Sequence, residues 1–332
     1  MKQIRLKERP VGVPTEDTFY FHEADVPKPK DGEVLLKTLY LSVDPYMRGR
    51  MSSAKSYVEP FQVDEPLNGG IVAEVVESKS EGLAEGDVVT GSLDWAEYNT
   101  TAGKNVRKLQ LAGAPASHAL GVLGMPGLTA YFGMYEIGAP KSGETVVISG
   151  AAGAVGSVAG QLAKKKGARV IGITGSKKKQ DYLSSIGFDA TINYKEDNLE
   201  HALDEQCPDG IDVYFENVGG EISDHIWPRL NPFARVPVCG AISAYNNTKK
   251  EENFGPRVQP FLIKSRVKMQ GFLVADFADK YKEAYQALAE GLKNGDIQFE
   301  ETIHEGFENV PRAFLGLFEG ENIGKQLVKV AK

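Results

Sequence analysis

The chain has 332 residues, 42% hydrophobic and 25% charged, the make-up of an ordinary globular protein long enough for two domains or one large one. A formal net charge of −7 argues against a general nucleic-acid surface, because a bound polyanion would need a local basic patch of its own. No apolar run approaches a membrane span, Met1-Lys-Gln-Ile-Arg-Leu-Lys7 has no apolar signal core, and Cys207 and Cys239 are too few for a disulfide framework; a cytoplasmic protein with no membrane partner is expected.

The first third reads as β. Candidate strands are Gln3–Arg9, Thr18–Glu23, Glu33–Val43, Gly70–Ser78, Asp87–Gly91 and Ala96–Thr100, set apart by turns such as Pro27-Lys-Pro29 and Lys30-Asp-Gly32. Many short strands in series suggest a small barrel or sandwich, which carries no nucleotide signature of its own. From Ser117 the texture changes. Ser117-His-Ala-Leu-Gly121 and the stretch from Pro126 to Ile137 look helical, with Pro126 suited to a first helical turn, and the first domain is drawn over 1–125.

Thr145-Val-Val-Ile-Ser-Gly150 followed by Ala151-Ala-Gly-Ala-Val-Gly156 looks like a buried parallel strand running into a phosphate loop. A dinucleotide-binding turn needs one glycine for the bend, one where backbone N–H groups approach the pyrophosphate, and one where helix packs on strand. Gly150, Gly153 and Gly156 suit those tasks, spaced GxxGxxG rather than GxGxxG. Val155, Val158, Ala159, Leu162 and Ala163 share one face of the helix that follows, whose N-terminus would meet the anion. The alternative is a Gly/Ala-rich helix packed closely on a sheet.

Strands and helices then alternate: Arg169–Thr174, a helix near Lys178–Ile186, Ala190–Asn193, a helix near Asn198–Gln206, Ile211–Glu216, a helix near Ile222–Leu230, and Arg235–Val238. That alternation is the doubly wound α/β pattern. A polar loop from Gly240 to Gly255 interrupts it before a sixth strand, Val267–Leu273, and a helix, Asp276–Leu292; the second domain is drawn over 126–300. The tail offers a strand, an amphipathic helix bearing Phe307, Val310, Phe314 and Leu317, and a final strand Gln326–Val330.

At the end of the second parallel strand, where an acid would take the adenosine ribose of NAD, the chain runs Gly175-Ser-Lys-Lys-Lys179. Small polar groups and cations suit a ribose 2′-phosphate, so the expected cofactor is NADP(H); the alternative is a solvated lysine face. His22, His118, His201, His225 and His304 are scattered without ligand spacing and neither cysteine lies in the first third, so no metal site is expected.

Leu41-Ser-Val-Asp-Pro-Tyr-Met-Arg48, Gly127-Leu-Thr-Ala-Tyr-Phe-Gly133, Ala151-Ala-Gly-Ala-Val-Gly-Ser157, Phe215-Glu-Asn-Val-Gly-Gly-Glu221, Cys239-Gly-Ala-Ile-Ser-Ala-Tyr-Asn246 and Asn322-Ile-Gly-Lys325 together resemble the zinc-independent medium-chain dehydrogenase/reductases. Among these the chain is similar to the prostaglandin reductase, leukotriene hydroxydehydrogenase, alkenal double-bond reductase and curcumin reductase group. The resemblance implies an α/β fold, a GroES-like β-barrel domain plus a Rossmann doubly wound parallel sheet, with residues 301–332 returning to the first domain. It implies a homodimer, and an active site in the cleft between the domains. It places Gly153, Ala154, Val155 and Gly156 at the pyrophosphate, Lys179 and Ser176 at the 2′-phosphate, and Tyr194 beside the adenosine phosphate. Asn217 follows the fourth strand; Cys239, Gly240, Ala241, Ile242, Ser243 and Tyr245 line the nicotinamide half, with Phe272, Leu273 and Val274 against the cofactor and Asn322 reaching it from the tail. Tyr46, Arg48 and Tyr57 are implied on the substrate side, with domain packing as their alternative. Cys239 reads as a small buried residue rather than a nucleophile, and turn chemistry is the alternative for Asn217 and Asn322. Three lysines exceed the family's usual pattern, which leaves open which of them grips the phosphate.

The function expected is NADPH-dependent reduction of the carbon–carbon double bond of small-molecule enals and enones, hydride going to the β-carbon without a metal. Quinone or alcohol oxidoreduction by the same superfamily, or NADPH binding without catalysis, are the alternatives. Tyr245, after the fifth strand, should lie at the carboxyl edge of the sheet, where its phenol could hydrogen-bond the ribose or the forming enolate oxygen, deliver the α-proton, or simply close the loop. Hydrogen bonding ranks first, because an unperturbed phenol is a poor acid near neutral pH.

Overall fold

The computed structural model describes residues 1–110, 113–248 and 254–331, so residues 249–253 of the expected polar loop lie outside the described residues. The chain divides into two compact units, one of Met1–Leu120, Glu301–Asn322 and Gln326–Lys332 and one of Gly121–Glu300 and Ile323–Lys325.

In the first unit, β1 (Lys2–Leu6) and β2 (Phe19–Glu23) pair antiparallel. β1 stops short of the expected Arg9 because Lys7-Glu-Arg-Pro10 offers no buried apolar side chain and ends at a proline. β3 (Glu33–Ser42), the short helix α1 (Met47–Arg50), β4 (Asn68–Ser78), β5 (Val88–Asp94), β6 (Tyr98–Ala102) and β7 (Arg107–Lys108) follow. β4 pairs antiparallel with β3 on one side and β5 on the other. The helix α1 was not expected, since its four residues are too few to show a helical period.

The second unit opens with α2 (Met125–Phe132), which carries Pro126 in its first turn. The chain then widens into a π-type turn over Gly133–Gly138. A methyl group on Gly133 would meet the rings of Phe215 and Phe272 at 2.7 Å, so only glycine allows this approach. β8 (Thr145–Ser149) is buried along its whole length, which is why it is a continuous apolar run closed by one serine. Next come α3 (Gly156–Lys165), β9 (Arg169–Thr174), α4 (Lys177–Ser185), β10 (Ala190–Asn193), α5 (Leu199–Gln206), β11 (Ile211–Phe215), α6 (Gly220–Ile226), β12 (Leu230–Val238), α7 (Gln259–Ser265), β13 (Lys268–Gly271) and α8 (Tyr281–Asn294). Among the described residues, six parallel strands form one sheet in the order β10-β9-β8-β11-β12-β13. The order reverses between β8 and β11, which makes their carboxyl ends the place where such a sheet opens a binding crevice. One core cluster holds Val146, Ile148, Val158, Leu162 and Phe215, and another holds Val147, Ile171, Tyr214 and Val236, so β8 and its neighbours are packed on both faces.

In the second unit three further elements differ from expectation. β12 starts at Leu230 rather than Arg235, its first half masked by Pro232 and by Phe233, which is exposed with φ +66°. α7 falls between the expected polar loop and sixth strand, where no element was expected; only Ser265 on it is buried, leaving no apolar stripe. The helix expected from Asp276 is a 3-10 stretch, Val274–Lys280, broken at Phe277, before α8.

The tail supplies β14 (Glu301–Glu305), α9 (Val310–Glu319) and β15 (Lys325–Lys329). Residues 327–329 of β15 pair with Tyr40–Ser42 of β3, on the edge whose other end, Glu33–Lys37, holds β6. Phe314 of α9 lies edge-on to Phe19 and to Trp95 in the first unit's core, so this unit is completed by the tail.

Candidate functional site

The glycine loop joins β8 to α3. Gly150 bends the chain at φ +58°, a left-handed conformation that glycine adopts without strain. A methyl group on Gly156 would lie 2.6 Å from the Gly150 carbonyl oxygen and 2.8 Å from Ala151 Cα, so the loop closes tightly on the first turn of α3. Val158, Ala159, Leu162 and Ala163 form the buried face of that helix, while Val155 caps it half-exposed. The loop is also braced from the tail: Gly324 N–H donates to the Ala152 carbonyl at 2.8 Å, and Gly324 bridges Gly153 in parallel. Asn322 precedes this bridge by two residues. The tail was expected as a strand, a helix and a final strand, with Asn322 reaching the cofactor; the brace itself was not expected, and Gly324, at φ +64°, lies inside Asn322-Ile-Gly-Lys325.

At the end of β9 the three lysines separate. Lys177 is exposed and paired with Asp181 at 2.8 Å, one turn along α4. Lys178 is exposed. Lys179 is half-buried, and desolvation, reinforced by the nearby Lys195 cation, holds its ammonium below the usual lysine range. Ser176 caps α4, its hydroxyl oxygen accepting from Lys179 N–H at 3.4 Å. Tyr194 and Lys195, just past β10, reach over Gly175: a methyl group there would lie 2.9 Å from Tyr194 Cε1 and 3.2 Å from Lys195 Cε. Among the described residues neither Lys179 nor Lys195 has an ion-pair partner. Lys195 lies over Gly175 and is near enough to act on Lys179, and two cations so placed suit an anion. Lys195 was not expected; it stands two residues past a strand end, outside any glycine or lysine pattern.

At the switch between β8 and β11, Asn217 donates from its side chain to the Ser149 carbonyl at 2.8 Å and from its backbone to Ser149 Oγ at 2.9 Å. The segment after β12 is zipped to it: Ile242 N–H reaches the Asn217 carbonyl at 3.3 Å, and Ser243 gives its N–H and hydroxyl to the Val218 carbonyl at 3.0 and 2.6 Å. Burial pushes the Cys239 thiol up to about 12, with Glu216 adding to the shift, so it is a protonated, unreactive thiol at neutral pH. Tyr245 folds back over its own turn, its hydroxyl 3.2 Å from the position of a methyl group on Gly240 and accepting from Ala241 N–H at 3.4 Å. Phe272 packs edge-on to Phe277, Val274 is half-buried, and Leu273 is exposed with its N–H on the Asp276 carboxylate at 2.9 Å.

In the first unit, Tyr46 hydrogen-bonds the Arg50 guanidinium, while burial and the Asp44 carboxyl raise its phenol well above the ordinary range. Arg50 itself donates to the Glu59 carbonyl at 2.9 Å and Asn68 Oδ1 at 2.8 Å, and lies over the Phe61 ring. Tyr57 is exposed. Arg48 is buried and donates to the Pro10 and Gly12 carbonyls at 3.3 and 2.8 Å, so it braces the N-terminal segment. Arg50, two residues past the end of the Leu41–Arg48 motif, was not among the expected residues.

Two family models match, one described as the N-terminal domain of oxidoreductase over residues 2–109, the other as zinc-binding dehydrogenase over residues 154–290. The chain is 58% identical to YfmJ of Bacillus subtilis (strain 168), covering 99% of this chain and 98% of that one. It is 42% identical to the NADPH-dependent curcumin reductase of Escherichia coli (strain K12), over 98% and 96% of the two chains, and 42% identical to the NADP(+)-dependent 2-alkenal reductase of Nicotiana tabacum, over 100% and 98%. This chain belongs to the medium-chain dehydrogenase/reductase family. Within that family it falls in the curcumin, prostaglandin and alkenal reductase group. The crystal structure of CurA from Vibrio vulnificus in complex with NADPH superposes with a TM-score of 0.96 at 43% identity, over 100% of both chains. The GroES-like domain and the Rossmann sheet of this family member are the two units described above.

Proposed function

We propose that this family member reduces the carbon–carbon double bond of α,β-unsaturated aldehydes and ketones with NADPH. The observation that carries the reading is the pair of interacting cations Lys179 and Lys195 past the end of β9, Lys195 over Gly175, where an NAD enzyme would place an acid. Relatives named as NADPH-dependent curcumin reductase and 2-alkenal reductase support it.

The residues fit this cofactor. The turn of Gly153, Ala154, Val155 and Gly156 at the N-terminus of α3 suits the pyrophosphate, and Lys179 and Lys195, with Ser176 and Tyr194 beside them, suit the 2′-phosphate. Asn217, Cys239 to Tyr245, Phe272 to Val274 and Asn322 take the nicotinamide half. Bound there, NADPH supplies a hydride for the β-carbon of the substrate. Charge then develops on the substrate's carbonyl oxygen, and the protein's main electrostatic task is to donate a hydrogen bond to that oxygen. Tyr245 takes this role or holds the adjacent ribose. Cys239 is a packing residue. The family resemblance assigns Tyr46 and Tyr57 to the substrate; in the first unit Tyr46 hydrogen-bonds Arg50, and Arg48 braces the segment around Gly12.

Tyr245→Phe keeps the ring and removes only the hydroxyl. Enone turnover is expected to fall roughly ten- to a thousandfold, the scale of one lost transition-state hydrogen bond, while NADPH still binds in a titration of the same sample. Unchanged turnover would return Tyr245 to closing the loop and leave the enolate oxygen to another donor.

Three further assignments complete the proposal. The reaction is independent of metal, a reading that rests on the sequence, where the histidines and cysteines have no ligand spacing. The protein is a homodimer, with a second copy meeting β13, which ends the sheet among the described residues and carries the exposed Met269. It works in the cytoplasm, where unbridged Cys207 and Cys239 remain reduced.

A further inference from the structure

Glu216, which follows β11, is 4% exposed, and among the described residues no cation reaches it. Its two oxygens instead gather donors from every direction. Oε1 accepts from Tyr214 Oη at 2.9 Å, Ser149 Oγ at 3.3 Å, Val218 N–H at 3.1 Å and Gly219 N–H at 2.8 Å. Oε2 accepts a short hydrogen bond from Ser223 Oγ of α6, whose oxygen also lies 3.0 Å from Tyr214 Oη. A carboxyl group with two acceptor oxygens suits such a gathering, and the two backbone donors cannot reverse. Burying it among donors is the condition under which a polar hub rigidifies its surroundings rather than destabilising them.

What it rigidifies lies at the reversal of strand order. The Ser149 hydroxyl that donates to Glu216 accepts Asn217 N–H at 2.9 Å, so the carboxyl group ties the end of β8 to the turn after β11. That turn is backbone-strained toward glycine, with Gly219 at φ +75° and Gly220 at φ +61°, and Oε1 holds its amides in place. The Glu216 carbonyl then accepts from Cys239 N–H at 2.9 Å and Gly240 N–H at 3.1 Å, and Asn217 and Val218 hold Ile242 and Ser243. The chain of contacts therefore runs from one buried carboxyl group through the 217–219 turn to the segment carrying Tyr245.

We infer that Glu216 is a positioning residue for hydride transfer: it sets the place of the 217–219 turn and, through it, of the 239–245 segment. The inference rests on the reading that the nicotinamide half lies at this end of the sheet. Glu216 touches neither cofactor nor substrate in this scheme; a misplacement on the order of 1 Å at a reacting centre is enough to slow it roughly a hundredfold.

Glu216→Asp keeps the carboxyl group but withdraws it by one methylene, while Glu216→Gln can keep an oxygen at the Oε1 position and turn its NH₂ to Ser223, whose hydroxyl can rotate to accept. Ser149→Ala removes the one hydroxyl that links the carboxyl group to Asn217. For each, turnover of an enone, the primary isotope effect with 4-deuterated NADPH, and binding of 2′,5′-ADP, which lacks the nicotinamide, are measured on protein of checked melting temperature. The expected result is turnover lowered roughly thirtyfold or more in Glu216→Asp and roughly tenfold in Ser149→Ala, a larger isotope effect in both, 2′,5′-ADP binding unchanged, and near-normal turnover restored in Glu216→Gln. If Glu216→Asp does not fold, Ser149→Ala carries the test. Normal turnover in folded Ser149→Ala, or 2′,5′-ADP binding lost in step with turnover, overturns the inference. Tyr245→Phe run alongside separates it from the reading beneath: slowed turnover there with normal turnover in the other variants overturns the positioning role alone, while normal turnover in all of them overturns the nicotinamide placement too.

Discussion

Gly156→Ala places a methyl group where the glycine loop has no room. Its carbon would sit 2.6 Å from the Gly150 carbonyl oxygen, 2.8 Å from Ala151 Cα and 3.0 Å from the Ala151 carbonyl oxygen. Ordinary contact begins at 3.4 Å, so the first of these must open by 3.4 − 2.6 = 0.8 Å. None of these atoms belongs to a side chain that can swing away. The loop is also stapled, Ala151 N–H to the Ile173 carbonyl at 3.1 Å and Gly153 N–H to the Gly150 carbonyl at 3.1 Å. Overpacking of this kind costs about 1–3 kcal/mol, against a gain of up to about 1 kcal/mol from placing alanine in a helix. The loss of stability is therefore small, and the larger effect falls on binding. A loop displaced by most of an ångström forfeits at least one amide–phosphate hydrogen bond, worth about 1.5–3 kcal/mol, or roughly ten- to a hundredfold in affinity. Because the pyrophosphate is common to both cofactors, NADPH and NADH should weaken by the same factor in fluorescence titrations, with the melting temperature lowered by only a few degrees. Affinity unchanged for both, or a loss confined to NADPH, would refute the assignment of this turn to the pyrophosphate.

Lys179→Ala and Lys195→Ala should each weaken NADPH roughly tenfold and leave NADH nearly unchanged, whereas Lys177→Ala, whose ammonium already pairs with Asp181, should change neither; equal losses for both cofactors would remove the 2′-phosphate from this site. Exhaustive chelation should leave turnover intact and elemental analysis of active protein should find no stoichiometric zinc; activity lost and then restored by zinc would reverse that assignment. Burial holds the Cys207 thiol at about 11 and Cys239 at about 12, against an ordinary value of 9.0, so the folded state keeps protons that the unfolded chain has released. This contribution is complete below about pH 9 and is lost as pH rises through the folded values, so urea midpoints should fall above that pH, less steeply in Cys239→Ala; a midpoint flat up to pH 11 would contradict the burial of these thiols.

The parallel sheet was legible because strands covered on both faces must be apolar throughout: Val146-Val-Ile148 and Val170-Ile171 are written as runs, and the glycines that punctuate them do so for steric reasons seen at Gly150 and Gly156. Elements with little burial left little trace. α7 buries Ser265 alone, and the first half of β12 carries an exposed Phe233, so neither shows a period. The site followed the same division. Ser176 and Lys179 belong to a local tract, and the absence of an acid after β9 is visible by inspection. Lys195 joins them only because β10 lies beside β9 in the sheet, with Asn193 opposite Thr174, a neighbourhood that strand order creates and sequence spacing does not.

Glu216 shows the limit most clearly. Its donors come from Ser149, Tyr214, Val218, Gly219 and Ser223, three local and two brought in by β8 and α6. In the sequence it closes the expected strand Ile211–Glu216 and lies within Phe215-Glu-Asn-Val-Gly-Gly-Glu221, where nothing in its spacing marks it as a hub. Only burial distinguishes it, and burial is a property of the assembled sheet. The residues that meet the ligand can be marked by local chemistry, since phosphate asks for glycine, amide and cation in a short span. The residues that hold those in place answer to the fold as a whole. For this protein the separation has a practical consequence: variants of Gly156 or Lys179 should change which cofactor binds and how tightly, whereas variants of the Glu216 hub should change how fast a bound cofactor reacts, and the two classes are distinguished by measuring affinity and isotope effect on the same preparation.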